Sequence, residues 1–357
     1  MVYTYRVIGI MSGTSLDGVD LACCQFTLAE GRWRYEIVAA ETIPYNPIWV
    51  TRLTELPKQP ALAYAKTDVF LGKYFGQLVK SFITQHQLTV DFIASHGHTI
   101  FHQPEQGYTA QIGSGAAIYA ETGIPVVCDF RSVDVMLGGQ GAPLVPIGDA
   151  LLFGTYDACL NLGGFSNISF NREQQRIAFD ISPCNIVMNP IAQQLGLPYD
   201  DEGKLAASGM VHEELLAALQ ALDYYHTSTT AKSLGAEWVQ QQFWPIVAGY
   251  KLSGEDLLAT LNQHIAMQIV HVINLHQFKS VLVTGGGAYN QHLIKSIEQL
   301  SQTPLQIPDK LVIDFKEALI FGFLGVLKIR NENNCLRSVT GALKDNVGGC
   351  LYGTPFV

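Results

Sequence analysis

Three glycine turns in this chain each follow directly on an apolar run, at Ser12-Gly13-Thr14-Ser15-Leu16-Asp17-Gly18, at Gly163-Gly164, and at Thr284-Gly285-Gly286-Gly287. Glycine lets the backbone approach a ligand closely and turns several N–H groups onto one anion. One glycine hairpin is most often only a turn. Three in one chain, with Ser12, Thr14, Ser15, Asp17 and Asp20 clustered around the first, point to phosphate binding. Neither familiar phosphate motif is present. There is no GxxxxGK[ST], and Gly113-Ser114-Gly115-Ala116-Ala117-Ile118 fails GxGxxG at its sixth position and precedes no suitable acidic residue.

The chain that must position these turns has 357 residues, enough for about two domains. With 22 Lys+Arg against 31 Asp+Glu its formal charge is −9, which argues against a general nucleic-acid or anionic-membrane binder. A bound polyanion is therefore to be held locally, by backbone amides or a metal. Hydrophobic residues at 48% and charged ones at 15% exclude a disordered or coiled-coil chain. The start does not read as a secretory signal, and the longest apolar run, residues 318–327, is half of what a bilayer needs, so no membrane span is expected. Seven scattered cysteines without CxxC fit a reduced, cytoplasmic protein and make a zinc site unexpected.

Periodicity predicts strands over 5–11, 19–26 and 33–42, then a helix over 61–87 with apolar positions Leu62, Ala65, Val69, Phe70, Phe75 and Val79. Strands at 91–95 and 124–128 flank a small-residue helix near 114–122, giving the order β-β-β-α-β-α-β. After the glycine-rich 137–143 the pattern restarts. Strands fall at 158–162, 167–170, 176–181 and 281–283, with helices near 184–195, 211–222, 236–247, 255–277, 290–300 and 316–329. The expectation is two α/β domains, 1–135 and 136–357, each opened by a glycine-turned hairpin in a pattern that suggests duplication, with the final helix and tail free to pack back on the first.

This arrangement resembles the superfamily of actin, heat-shock chaperones and sugar kinases. There, two phosphate hairpins and an adenosine loop close around ATP in a cleft between two actin-like (ribonuclease H-like) domains. Segment by segment the match narrows: GIMSGTSLDGVD at 9–20, SHGHT at 95–99, DFRSVD at 129–134, GGQGAPLVP at 138–146, NLGGFSN at 161–167 and VTGA at 339–342 resemble the anhydro-N-acetylmuramic acid kinase family. The likeness spans the whole chain in the right order.

The resemblance implies that Gly13, Thr14, Ser15, Leu16, Asp17, Gly18, Val19 and Asp20 carry the phosphates of ATP, and that Gly163, Gly164, Asn167, Gly285, Gly286 and Gly287 complete the nucleotide site. Asp17 and Asp20 are then the candidates for Mg²⁺, held through water. The implied reaction phosphorylates O6 of 1,6-anhydro-N-acetylmuramic acid while water opens the anhydro ring, in the recycling of the bacterial cell wall. A cytoplasmic enzyme with small-molecule partners is implied, without nucleic acid or membrane, and with a homodimer as an admissible assembly.

Asp180 ends a strand, where a lone Asp is more often a helix N-cap; the resemblance makes it the catalytic base. The family's Asp-Thr-Gly-Pro-Gly-Asn segment reads Asp180-Ile181-Ser182-Pro183-Cys184-Asn185 here. Ser182 and Cys184 replace glycines and threaten any backbone that needs positive φ or close ligand approach. Arg131 and Asp134 either pair at the surface or grip the lactyl carboxylate of the sugar, the second being favoured. For His96, His98 and His102 a metal reading competes with substrate hydrogen bonding, favoured for His96 and His98, with His98 standing where the family has Gln. Glu317 reads as a first-turn dipole partner or a cleft residue. Two rival functions stay open: a sugar kinase without ring opening, and a nucleotide-gated clamp that binds protein.

Overall fold

The first glycine turn joins β1 (Val2–Ser12) to β2 (Gly18–Ala29), antiparallel in register from Val2 opposite Ala29 to Met11 opposite Asp20. Their central residues, among them Val7, Ile8, Ile10, Leu21, Cys23 and Cys24, are fully buried. A strand covered on both faces shows no polar alternation, which is why these runs are continuously apolar. β3 (Arg32–Pro44) pairs antiparallel with β2, β4 (Phe92–Gln103) parallel with β1, β5 (Tyr108–Ile112) folds back on β4, and β6 (Val126–Cys128) runs parallel to β4.

A second sheet repeats the plan. β7 (Ala158–Leu162), β8 (Phe165–Arg172) and β9 (Gln175–Pro183) form an antiparallel meander, and β10 (Val281–Thr284) and β11 (Leu305–Gln306) add in parallel beside β7. In the first sheet the order is β12-β6-β4-β1-β2-β3, where β12 (Cys350–Tyr352) is the C-terminal strand; in the second it is β11-β10-β7-β8-β9. Both sheets place their third, second and first strands side by side and continue in parallel from the first. Each is an actin-like, ribonuclease H-like α/β unit, and the repeated order is the structural form of the duplication suggested by the two hairpins.

The computed structural model describes residues 1–227 and 232–354. Packing divides them into two units, Met1–Leu152 with the described residues from Phe315 onward, and Phe153–Asp314. Residues 136–152, expected with the second half, group with the first. Gly141 N donates to the Asp134 carboxylate, Gln140 N to the Thr340 carbonyl, and Lys316 pairs with Asp149 at 2.8 Å with both side chains buried.

Several elements differ from the periodic reading. The helix Ala61–His86 buries Thr67, Leu71, Phe75, Val79 and Phe82, whereas Leu62, Val69 and Phe70 lie exposed on its other side. Its buried face is turned because Gly72 and Gly76 sit against Ser114, Ala117 and Glu121, where a Cβ would come within 3 Å of its neighbours. The helix Pro47–Glu55 went unpredicted although Asn46 caps it, accepting from Trp49 N, and Pro47 opens it. The last long helix starts at Lys310 rather than 316, with Asp309 accepting from Val312 N. β5, β11 and β12 are too short or too polar to show a period.

One close approach holds the first unit together: a Cβ on Gly9 would lie 1.9 Å from the Ala318 carbonyl oxygen in the helix Lys310–Ile329. Gly9→Ala must push strand and helix apart. We expect it to cost about 1–3 kcal/mol, read as a lower urea midpoint with an unchanged m-value; a midpoint equal to wild type would refute the close packing.

Candidate active site

In the second unit the two glycine turns pack on each other. Gly285 has φ +83°, and a Cβ there would lie 2.6 Å from Asn161 Oδ1 and 2.9 Å from the Leu162 carbonyl oxygen. Asn185 Nδ2 donates to Leu162 O, and the amides of Cys184, Asn185 and Ile186 donate to the carbonyls of Gly163 and Gly164. The start of the helix Asn185–Gln194 is thereby stitched to the second hairpin.

Sheet register supplies the neighbouring polar row. Thr284 lies opposite Asn161, Asn161 opposite Asn167, and Asn167 opposite Asp180. Directly paired residues point to the same face with Cβ atoms about 4.5–5.5 Å apart, so these four side chains stand in a line beside the glycine turns. The structure thus brings together Gly163, Gly164, Asn167, Asp180, Gly285, Gly286 and Gly287. It adds Asn161 and Thr284, which sequence reasoning did not single out; their positions at strand ends before glycine turns were the available signal.

Asp180 is half-buried. Its Oδ2 accepts from Leu234 N at 2.8 Å, its carbonyl accepts from the Tyr224 hydroxyl at 2.7 Å, and its own N–H donates to Lys232 O at 3.0 Å. Burial raises its carboxyl above the ordinary value, and the Leu234 amide partly opposes that rise. Asp180 caps no helix: it sits inside β9, three residues before that strand ends. The glycine replacements are accommodated. Cys184 has φ −131°, and Ser182 is not among the positive-φ residues; the Ser182 hydroxyl lies 3.0 Å from Ser166 Oγ, with both residues fully buried. The Cys184 thiol is pushed up to about 12 by burial, so it stays protonated and inert.

The first unit holds the other expected groups. Thr14, Ser15 and Asp17 are exposed at the tip of the first turn, Leu16 stands at φ +61°, and Ser15 donates to Asp17 at 2.7 Å. Gly18 and Val19 are buried in β2, opposite Pro44 and Ile43 of β3. Asp20 accepts from Thr42 at 2.6 Å. Among the described residues no three His, Cys, Asp or Glu side chains gather as a metal cage; the carboxylates of this hairpin are those of Asp17 and Asp20.

His96 and His98 are both nearly enclosed, but they do not share partners. The His98 ring bonds through Nδ1 to Ser12 Oγ at 2.8 Å, and that hydroxyl lies 2.8 Å from Tyr45 Oη; burial lowers the His98 pKa to about 4. His96 accepts from Arg131 Nε at 3.0 Å through Nε2, so its Nδ1 carries the proton and donates to Gly97 O at 2.9 Å. Burial and the adjacent guanidinium hold His96 neutral. His102 bonds to Thr109 and stands apart from these contacts.

Arg131 also donates from Nη1 to Gly141 O at 2.7 Å, and burial lowers its pKa to about 10. Glu317 is reached by solvent, yet desolvation by the surrounding protein is the main cause that raises its carboxyl; Arg131 lowers it and Asp20 raises it. Glu317 therefore belongs with Arg131 and Asp20, and it lies inside the helix Lys310–Ile329 rather than in its first turn.

Asp134 is a correction. It neither pairs with Arg131 nor faces a ligand: it is fully buried, and its carboxylate accepts from Gly141 N, Thr340 Oγ1, Asn346 Nδ2 and Cys335 Sγ. A carboxylate taken out of water is tolerated only when donors surround it. Its role is to tie residues 131–141 to the C-terminal loop.

A family model described as anhydro-N-acetylmuramic acid kinase matches residues 5–354. Proteins carrying that name are similar along their full length: one from Hydrogenovibrio crunogenus is 34% identical with 97% of each chain covered, and one from Synechococcus elongatus is 34% identical with 98% of this chain and 99% of that one covered. One from Pseudomonas fluorescens is 36% identical over 97% of this chain and 98% of its own. With the glycine turns, the polar row and the anchored Asp180 all lying within the matched span, the chain belongs to the anhydro-N-acetylmuramic acid kinase family.

Proposed function

We propose that this protein uses ATP to phosphorylate O6 of 1,6-anhydro-N-acetylmuramic acid while water opens the anhydro bridge, giving N-acetylmuramic acid 6-phosphate and ADP in the bacterial cytoplasm as a step of peptidoglycan recycling. Family membership supports the reaction. The observation that carries the mechanism is Asp180, a carboxylate with a raised pKa, one oxygen anchored, beside two glycine turns.

In this reading Asp180 takes a proton from the water that attacks the anomeric carbon. The C1–O6 bond breaks with its electron pair on O6, and O6 attacks the γ-phosphorus as the bridging oxygen departs on ADP. No acid is needed for the leaving oxygen, because the phosphoryl group takes that place; the comparison is an inverting glycosidase. The first unit offers phosphate the backbone amides of Gly13 to Asp20, and the second offers those of Gly163, Gly164 and Gly285 to Gly287, with Asn161, Asn167 and Thr284 beside the latter. Asp17 and Asp20 would hold Mg²⁺ through water, a pattern that suits an ion which keeps its hydration shell and supplies charge neutralisation to the phosphates. Arg131, with Nε and Nη1 occupied, turns Nη2 to the lactyl carboxylate of the sugar.

Four outcomes follow. With the substrate and Mg-ATP in ¹⁸O-labelled water, mass spectrometry should find a 6-phosphorylated product carrying the label at C1; an unlabelled product with the ring intact would mean a sugar kinase without hydrolysis, and ATP turnover without sugar a protein-binding clamp. Asp180→Asn should lower kcat by about 10²–10⁴-fold. Because the native carboxyl is raised, ionising it opposes folding as pH climbs through its pKa, so the thermal midpoint of Asp180→Asn should rise relative to wild type from about pH 4 upward; a gap that narrows with pH would contradict the raised value. Arg131→Met should raise KM for the sugar about 10–100-fold and leave KM for ATP within a factor of two; equal effects on both would remove Arg131 from the sugar site.

A further inference from the structure

β9 is the outer strand of the second sheet, so its open edge presents backbone N–H and C=O groups without a neighbouring strand. At Asp180 those groups do find partners. The Asp180 N–H donates to the Lys232 carbonyl, and the Asp180 carbonyl accepts from the Tyr224 hydroxyl. On the side chain, Leu234 N–H holds Oδ2. Among the described residues Oδ1 has no such partner.

Tyr224 and Lys232 are themselves braced. Lys232 Nζ donates to the Tyr224 carbonyl at 3.2 Å and sits 4.4 Å from the centre of the Tyr224 ring. Tyr224 packs edge-on against Tyr225 and tilts against Trp238. Tyr225 in turn bonds to His264, a ring that burial lowers to about 3 and leaves neutral. Among the described residues the titratable groups facing Asp180 on this side are thus Tyr224 and Lys232. On the other side, its partner on β8 is the uncharged Asn167.

We propose that Tyr224, Lys232 and Leu234 are positioning residues for Asp180: they fix its backbone and one carboxylate oxygen so that the other faces the attacking water. This rests on Asp180 being the base. Two attachments, to N and O, fix its backbone, and the third, at Oδ2, restrains rotation of the carboxylate. A base held in this way keeps its reacting oxygen aligned, and a small misplacement is costly. The Leu234 N–H has a second consequence, since a donor to the ionised carboxylate favours that form. Without it, the acid must be deprotonated at higher pH.

The test uses the full-length enzyme. Replacing the Leu234 amide by an ester, with the α-hydroxy analogue of leucine incorporated at that position, removes the N–H and keeps the buried side chain. The acid limb of the kcat/KM profile should move to higher pH by about one unit. Tyr224→Phe should lower kcat about tenfold and leave KM for both substrates within a factor of two. An acid limb that stays in place in the ester variant, or a Tyr224→Phe loss that appears only in KM or only as a smaller folded fraction, would overturn the positioning role. Asp180→Asn separates the two readings: if it stays active, the base assignment fails and this proposal with it. If it is inactive while the ester profile is unmoved, only the positioning role falls.

Discussion

Parallel pairing of the first and fourth strands in each sheet, β1 with β4 and β7 with β10, is the constraint on which the molecule depends. Parallel neighbours deliver their carboxyl ends to the same edge, so whatever follows the strands gathers there. In the first unit that edge holds Ser12, bonded to His98 across the pair. In the second it holds Asn161 and Thr284 and the glycine turns behind them. Antiparallel pairing would have carried these turns to opposite ends. The hairpins β1–β2 and β7–β8 then fold back from the same edge, and through them Asp20 and Asn167 join it.

Burial of polar groups sets a second level of order. Asp134, Arg131 and His96 each have partners chosen by the cost of leaving a charge or a donor dry. Asp134 takes four donors from residues as far away as Asn346, and so the C-terminal loop becomes part of the frame around Arg131. His96 is kept neutral by burial and by the guanidinium whose N–H it accepts, which also fixes its tautomer. These groups therefore stabilise a shape. What they leave for a ligand is the outer edge of Arg131, the carboxylate of Glu317 and the hydroxyls and amides of the first turn.

At Asp180 stability and the proposed base chemistry pull against each other. A carboxylate in a half-buried position is disfavoured in its charged form, and that same environment makes it a better proton acceptor near neutral pH. One amide moderates the strain, and an edge covered by chain rather than by another strand supplies it. The replacements at Ser182 and Cys184 leave this arrangement alone: their backbone angles do not call for glycine, and their side chains are absorbed, one by Ser166 and the other by the core beside the second hairpin.

Much of this was legible in the chain. Apolar runs ended by glycine marked β1, β7 and β10 and the turns behind them, because strand burial and close backbone approach are local demands on residue type. The long helices Ala61–His86 and Gly254–His276 showed their period, although in the first Gly72 and Gly76 share the buried face with Leu71, Phe75, Val79 and Phe82 while Leu62, Val69 and Phe70 stay exposed. The motif order was enough to suggest the family and, with it, Asp180. What the sequence could not show is which distant groups meet: Leu234 with Asp180 across 54 positions, Thr340 with Asp134 across 206, or the row from Thr284 to Asp180 that exists only through sheet register. Such contacts leave no local period. They arise when packing brings unpaired donors and acceptors together and excludes the water that would otherwise satisfy them, so the sequence by itself determined the main strands, the long helices, the glycine turns and the family they mark, and the tertiary structure decided which distant side chains meet.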